Sequence, residues 1–191
     1  MTEGAASMDI LETYRRTGAM RTGHFLLASG GHTDRFFQSA TVMQFPDAAQ
    51  TLGRAIAEKW AEEAIDFVIG PAMGGVVLAA VTAQFLGVRA LFAEKAAHGE
   101  SMFIRPGMTV RQGERFLAVE DVVTTGGSVT KAIRAAEAAG AVCVGVSSVI
   151  DRNDGATPFA YPYRPLATLT VITYDPEDCP LCRRGVPLEK I

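Results

Sequence analysis

Phe116-Leu-Ala-Val-Glu120-Asp121-Val-Val-Thr124-Thr125-Gly126-Gly127-Ser128 is the most informative stretch of the chain. Phe116 to Val119 is a short apolar run, the pattern of a strand buried on both faces in a parallel sheet. Two adjacent carboxylates follow, then a turn of small residues. Beyond the turn Val129, Ala132, Ile133, Ala136 and Ala139 recur at helical spacing, and Gly140 offers a stop. Strand, loop and helix in that order place the chemistry at the strand's carboxyl end, where open α/β sheets bind ligands.

The turn suits a phosphate. Its glycines let backbone N–H groups converge, Thr124, Thr125 and Ser128 add hydroxyls, and the helix N-terminus adds positive potential. Glu120 and Asp121 would repel a phosphate placed on them. They accept hydrogen bonds from neutral hydroxyls such as a ribose diol, and they can help hold a hydrated Mg²⁺. Phosphate on the turn and sugar on the acids therefore keeps like charges apart. The plainer alternative is a helix start capped by threonine, with two solvated acids behind it.

The rest of the chain repeats the pattern. Ile10, Leu11 and Tyr14 predict a short helix over 8–17, after a loose tail over residues 1–7. Two extended pieces around Ser29-Gly30-Gly31 read as a hairpin-like cap. Pro46 to Glu63 reads as a helix, with Ala49, Leu52, Ile56 and Trp60 on one face. Asp66 to Ile69 is a buried strand that runs into Gly70-Pro-Ala-Met73-Gly74-Gly75 and a helix over 76–85. This is a second anion cradle or a tight glycine turn. A third strand is expected at 88–92. Residues 93–107 lack helical periodicity and include Lys95, His98 and a candidate extended piece at 102–105. They read as a mobile loop that could neutralise a leaving group, or as an exposed hairpin. Strands at 141–150 and 166–173 complete the set. The prediction is an α/β fold, a doubly wound, mainly parallel sheet flanked by helices. Residues 1–45 form an N-terminal helix and hood, 46–175 the core, and 176–191 a tail.

Composition excludes several classes. A net charge of −3 argues against a nucleic-acid footprint, and with 48% apolar residues a proper core is available. No apolar run approaches a membrane span, and the first residues do not read as a leader, so a soluble cytoplasmic chain is expected. Three cysteines make no disulfide framework. Cys179-Pro-Leu-Cys182 has no second pair and no histidine nearby in sequence. It reads as a reduced structural pair, with a zinc site or a redox motif as the alternative that sequence leaves open.

Val119 to Ser128 resembles the phosphoribosyl-pyrophosphate signature of type I phosphoribosyltransferases. His24-Phe-Leu-Leu-Ala28-Ser-Gly, followed by Phe36-Phe37, resembles the hood of the orotate phosphoribosyltransferases, and Asp151-Arg152 resembles their Asp-Arg. The resemblance implies transfer of 5-phosphoribosyl from phosphoribosyl pyrophosphate to orotate, giving orotidine 5′-monophosphate and pyrophosphate. It implies Mg²⁺ held mainly through phosphoribosyl pyrophosphate and water, and a homodimer. Substrate contacts are implied for Phe36, Phe37, Met73, Gly74, Glu120, Asp121, Val122, Val123, Thr124, Thr125, Gly126, Gly127, Ser128 and Arg152, with Arg152 on the orotate carboxylate. Catalytic roles are implied for Lys95, His98 and Asp121. The chain departs from the pattern at Ala28 and Gly74, where many members carry lysine. It has few basic residues before His98, and a second alignment gives the charge roles to Lys95 and Arg105. A purine-specific relative would keep the central motif without the hood and the Asp-Arg. A nucleic-acid-binding regulator of this fold would bring a basic face.

Overall fold

Continuous apolar runs become the strands of one central sheet, and the amphipathic segments pack on its two faces. The computed structural model describes residues 3–27, 29–97, 101–153 and 157–190. The chain begins with α1 (Glu3–Arg16), the hairpin β1 (Met20–Leu26) and β2 (His32–Phe37), and a short α2 (Ser39–Met43). Next come α3 (Pro46–Lys59), β3 (Phe67–Pro71), α4 (Gly74–Leu86), β4 (Arg89–Lys95) and β5 (Met102–Ile104). β6 (Arg115–Val123), α5 (Gly127–Ala138), β7 (Val142–Asp151) and β8 (Ala167–Thr168) finish the core. The tail holds a 3₁₀ turn at Pro176–Asp178, α6 (Pro180–Arg183) and β9 (Glu189–Lys190).

The main sheet has six strands in the order β5-β4-β3-β6-β7-β8, all parallel except the edge strand β5. Alternation along β6 divides the core. Phe116 and Ala118 join Phe67 and Ile69 beneath Val129, Ala132, Ile133 and Ala136 of α5. Leu117 and Val119 join Val68 beneath Leu52, Ile56 and Leu78 of α3 and α4. The strand is thus buried on both faces, which is why it reads as an unbroken apolar run.

A second sheet, β2-β1-β9, forms the hood. β1 pairs antiparallel with β2 and parallel with β9 through Phe25↔Glu189 and Leu26↔Lys190. Arg21 clamps Glu189 with both guanidinium nitrogens, at 2.8 and 2.6 Å. Residues of the tail therefore close the hood.

Several element boundaries differ from the sequence reading. α1 begins at Glu3 instead of residue 8, since Ala5 and Ala6 extend it. α3 stops at Lys59 because Trp60 turns into the core as its C-cap. β4 runs on to Lys95 and pairs antiparallel with β5, so the stretch expected to be a loop is in part a hairpin. The strand expected over 166–173 is only Ala167–Thr168, paired to the end of β7. The Cys-x-x-Cys is also not without histidines: the fold brings His24 and His32 to it. No helix among the described residues is long and apolar enough to cross a membrane.

Candidate active site

β6 delivers Glu120 and Asp121 at its carboxyl end, and the chain then turns through Thr124 and Thr125 into α5. Gly126 makes the turn with φ of +71°, and a Cβ there would lie 2.6 Å from Phe159 Cε1, so both backbone and space call for glycine. Glu120 and residues 122–129 line a cavity of about 70 Å³ at this helix start. Asp121 Oδ1 accepts a hydrogen bond from the Val122 N–H at 2.8 Å. Glu120 is 8% exposed, and burial, reinforced by the charge of Asp121, pushes its carboxyl up to about 9. The β6 end thus gathers two carboxyl groups side by side.

The second turn lies alongside. β3 ends in Pro71, the Ala72 N–H donates to the Ala93 carbonyl at 2.8 Å, and α4 starts at Gly74. The Ala72–Met73 peptide is cis, and the Met73 side chain is exposed. A Cβ on Gly70 would run into the Gly75 carbonyl oxygen, so this turn closes on itself only with glycine. A Cβ on Gly74 would lie 3.0 Å from Asp121 Oδ1, which puts the two turns in direct apposition. The structure therefore brings together Met73, Gly74 and residues 120–128.

Lys95 ends β4, two residues beyond the Ala93 that pairs with Pro71. Its side chain is exposed. Arg105, the other candidate cation, is engaged with Glu94 across the hairpin at 2.5 Å. Ala28 and His98 lie outside the described residues.

Arg152 follows β7, its backbone N–H donating to the Val123 carbonyl at 2.9 Å, so it stands beside the end of β6. Buried Asp151 accepts from the Asn153 N–H at 3.0 Å and shapes the bend. The Arg152 Nε is buried and has no hydrogen-bond partner among the described residues. A buried guanidinium nitrogen left unpaired is costly, and a carboxylate is its natural partner. Phe36 and Phe37 part company: neighbours on an extended strand project to opposite faces. Phe36 tilts on Phe25 at 5.9 Å, and Phe37 packs against the core cluster that includes residues of α1 and α4.

The phosphoribosyl transferase domain model matches residues 40–173. An orotate phosphoribosyltransferase of Thermus thermophilus is 58% identical over 184 residues, covering 96% of this chain and 100% of that one. The chain belongs to the orotate phosphoribosyltransferase family. A second orotate phosphoribosyltransferase, from Caldanaerobacter subterraneus subsp. tengcongensis, is 44% identical over 181 residues, 95% of this chain and 94% of the other. The crystal structure of Mycobacterium tuberculosis orotate phosphoribosyltransferase in complex with Fe(III) dicitrate superposes with a TM-score of 0.72 at 27% identity. The match covers 86% of this chain and 97% of that one. The fold is that of an orotate phosphoribosyltransferase, mainly parallel with flanking helices. Sequence reasoning gave Asp151 no part in organising the Arg152 bend. It also passed over the packing of Gly70 on Gly75, a mutual contact that no local pattern announces.

Proposed function

We infer that the chain transfers 5-phosphoribosyl from phosphoribosyl pyrophosphate to orotate, yielding orotidine 5′-monophosphate and pyrophosphate, with the residues above in the following roles. The turn of Thr124 to Ser128 holds the 5′-phosphate on converging amides and hydroxyls. Glu120 and Asp121 accept hydrogen bonds from the ribose hydroxyls. Met73 and Gly74 border the pyrophosphate, and the exposed Lys95 supplies the positive charge their turn lacks. The hood strand that carries Phe36 and Phe37 bounds the side of the site where the pyrimidine rests, and Arg152 binds its carboxylate. The orphaned Arg152 Nε beside the end of β6 is the observation that carries this reading.

Burial and the neighbouring Asp121 favour the protonated form of Glu120, and a divalent cation beside the pair would favour ionisation of both carboxyls, so the donor set fits Mg²⁺. Glu120, Asp121 and the substrate's own oxygens would hold it, and when bound it would neutralise charge on the pyrophosphate. The chain's own contribution is position. Bond breaking at the anomeric carbon develops positive charge on the sugar, which Asp121 is placed to stabilise, while Lys95 stabilises the departing pyrophosphate. Orotate is already anionic, so little proton transfer is required of the protein. A homodimer, in which the 93–107 segment serves a neighbouring subunit's site, is part of the proposal.

Orotate absorbance followed with phosphoribosyl pyrophosphate and Mg²⁺, each omitted in turn, tests the reaction. Loss of orotate that depends on both additions is expected. Consumption of adenine or hypoxanthine in its place overturns the base assignment.

A further inference from the structure

We propose that His24, His32, Cys179 and Cys182 form a structural zinc site that fastens the tail to the hood. His24 lies on β1, His32 opens β2, Cys179 precedes α6 and Cys182 lies within it. The four ligand atoms all lie within 4.8 Å of one another.

Four of the six edges of this cluster have the size of those in a metal tetrahedron. With Zn–N of about 2.0–2.1 Å and Zn–S of about 2.3 Å, tetrahedral angles put two nitrogens about 3.3 Å apart and a sulfur about 3.5 Å from a nitrogen. His24 Nε2 and His32 Nδ1 are 3.0 Å apart. The sulfur–nitrogen separations are 3.6 Å for Cys179 and 3.7 Å for Cys182 to His24, and 3.4 Å for Cys182 to His32.

The surroundings fit as well. His24 Nδ1 lies 2.8 Å from the Val186 carbonyl, which can only accept, so the proton sits on Nδ1 and the Nε2 lone pair faces the cluster. This is the usual outer support of a metal-bound imidazole. Two thiols that surrender their protons to solvent give two negative charges, which match a divalent cation and leave a neutral site. His24, His32 and Cys179 are buried, while Cys182 stands at the surface and leaves a way in. Two sulfurs and two nitrogens in tetrahedral array select zinc among common divalent ions, and four protein ligands leave no open position for catalysis.

The hood needs such a fastening. Among the described residues of its three strands, Phe25 is the one large, fully buried apolar side chain, and it belongs to neither core cluster. β9 contributes only two residues. A module with so little apolar interior is ordinarily held by a metal or a disulfide. Both cysteines are free.

The test uses the full chain without a polyhistidine tag, purified under reductant. Elemental analysis should find about one zinc per chain, and Co²⁺ in its place should give the visible bands and near-ultraviolet thiolate absorption of a tetrahedral S₂N₂ site. Stripping with a strong chelator should lower the thermal midpoint by about 5–10 °C, restored by Zn²⁺ alone. Cys182→Ser should abolish retention of the metal, while Cys143→Ser keeps it. A chain that takes up no Zn²⁺ or Co²⁺, that carries stoichiometric iron or a Cys179–Cys182 disulfide, or that holds zinc undiminished in Cys182→Ser overturns the proposal. The Co²⁺ spectrum is read on the unaltered chain and does not depend on any variant folding.

Discussion

β3 with α4 and β6 with α5 are neighbouring strand–turn–helix units whose glycine turns meet at Gly74 and Asp121. They are unlike in charge. The turn at residues 120–128 carries two carboxyl groups and three hydroxyls, whereas the β3 turn offers backbone, an exposed methionine and no ionisable side chain. A sugar phosphate needs both kinds of surface, one to accept from hydroxyls and one to leave phosphate oxygens unopposed. In the proposed mechanism the cation that the β3 turn lacks comes from the adjacent strand, through the exposed Lys95. Division of labour between two similar units explains why neither alone would be a site.

Substitutions that exchange or erase this asymmetry should break it. Asp121→Asn removes the charge proposed to face the reacting sugar and should lower kcat by about 100–1000-fold with the fold intact, as steady-state kinetics with circular dichroism would show. Lys95→Ala should cut kcat by about 100-fold with little change in orotate binding, because the cation acts on the leaving group. Unchanged turnover would detach Lys95 from the β3 turn. Arg152→Ala should raise the KM for orotate by about 10–100-fold, the worth of a charge-assisted pair. Without ligand its melting temperature should not fall, since the lost Nε has no partner among the described residues. Gly126→Ala should destabilise the chain by about 1–3 kcal/mol through its positive φ and the Phe159 ring, as a denaturant titration would measure. Gly74→Ala meets only a side-chain carboxyl, and should spare stability while weakening phosphoribosyl pyrophosphate binding.

The smallest effect concerns pH. Glu120 titrates at about 9 in the fold against an ordinary 4.5, so between those values the unfolded chain gives up a proton that the folded chain keeps. A raised carboxyl therefore costs stability progressively as pH climbs through this window, and costs nothing below it. Glu120→Gln should raise the melting temperature of the ligand-free chain by a few degrees at about pH 8 and by almost nothing at about pH 4, while lowering activity. An equal gain at both pH values would show that burial of Glu120 is not the cause.

The β6 unit was fully legible from local residues, because its apolar run, acids, small turn and helix repeat are contiguous. The β3 turn was half legible: glycine spacing announced a tight bend, but its apposition to Asp121 depends on strand order. Arg152 was visible as a charge after a strand, and only the fold reveals its unpaired nitrogen. The hood resisted most. Its hairpin followed from Ser29-Gly30-Gly31, yet β9 and the Cys-x-x-Cys reach it from the far end of the chain, as the His24–Cys179 separation of 155 positions shows. No periodicity encodes such a meeting. The resemblance implied substrate contacts for both Phe36 and Phe37, and strand pleating sends their side chains to opposite faces.

The pairing of β9 with β1 has a consequence for synthesis. The main sheet can assemble once Thr168 has left the ribosome, but the hood waits for Glu189 and Lys190. A nascent chain would thus hold both finished glycine turns while the third strand of the hood was still missing.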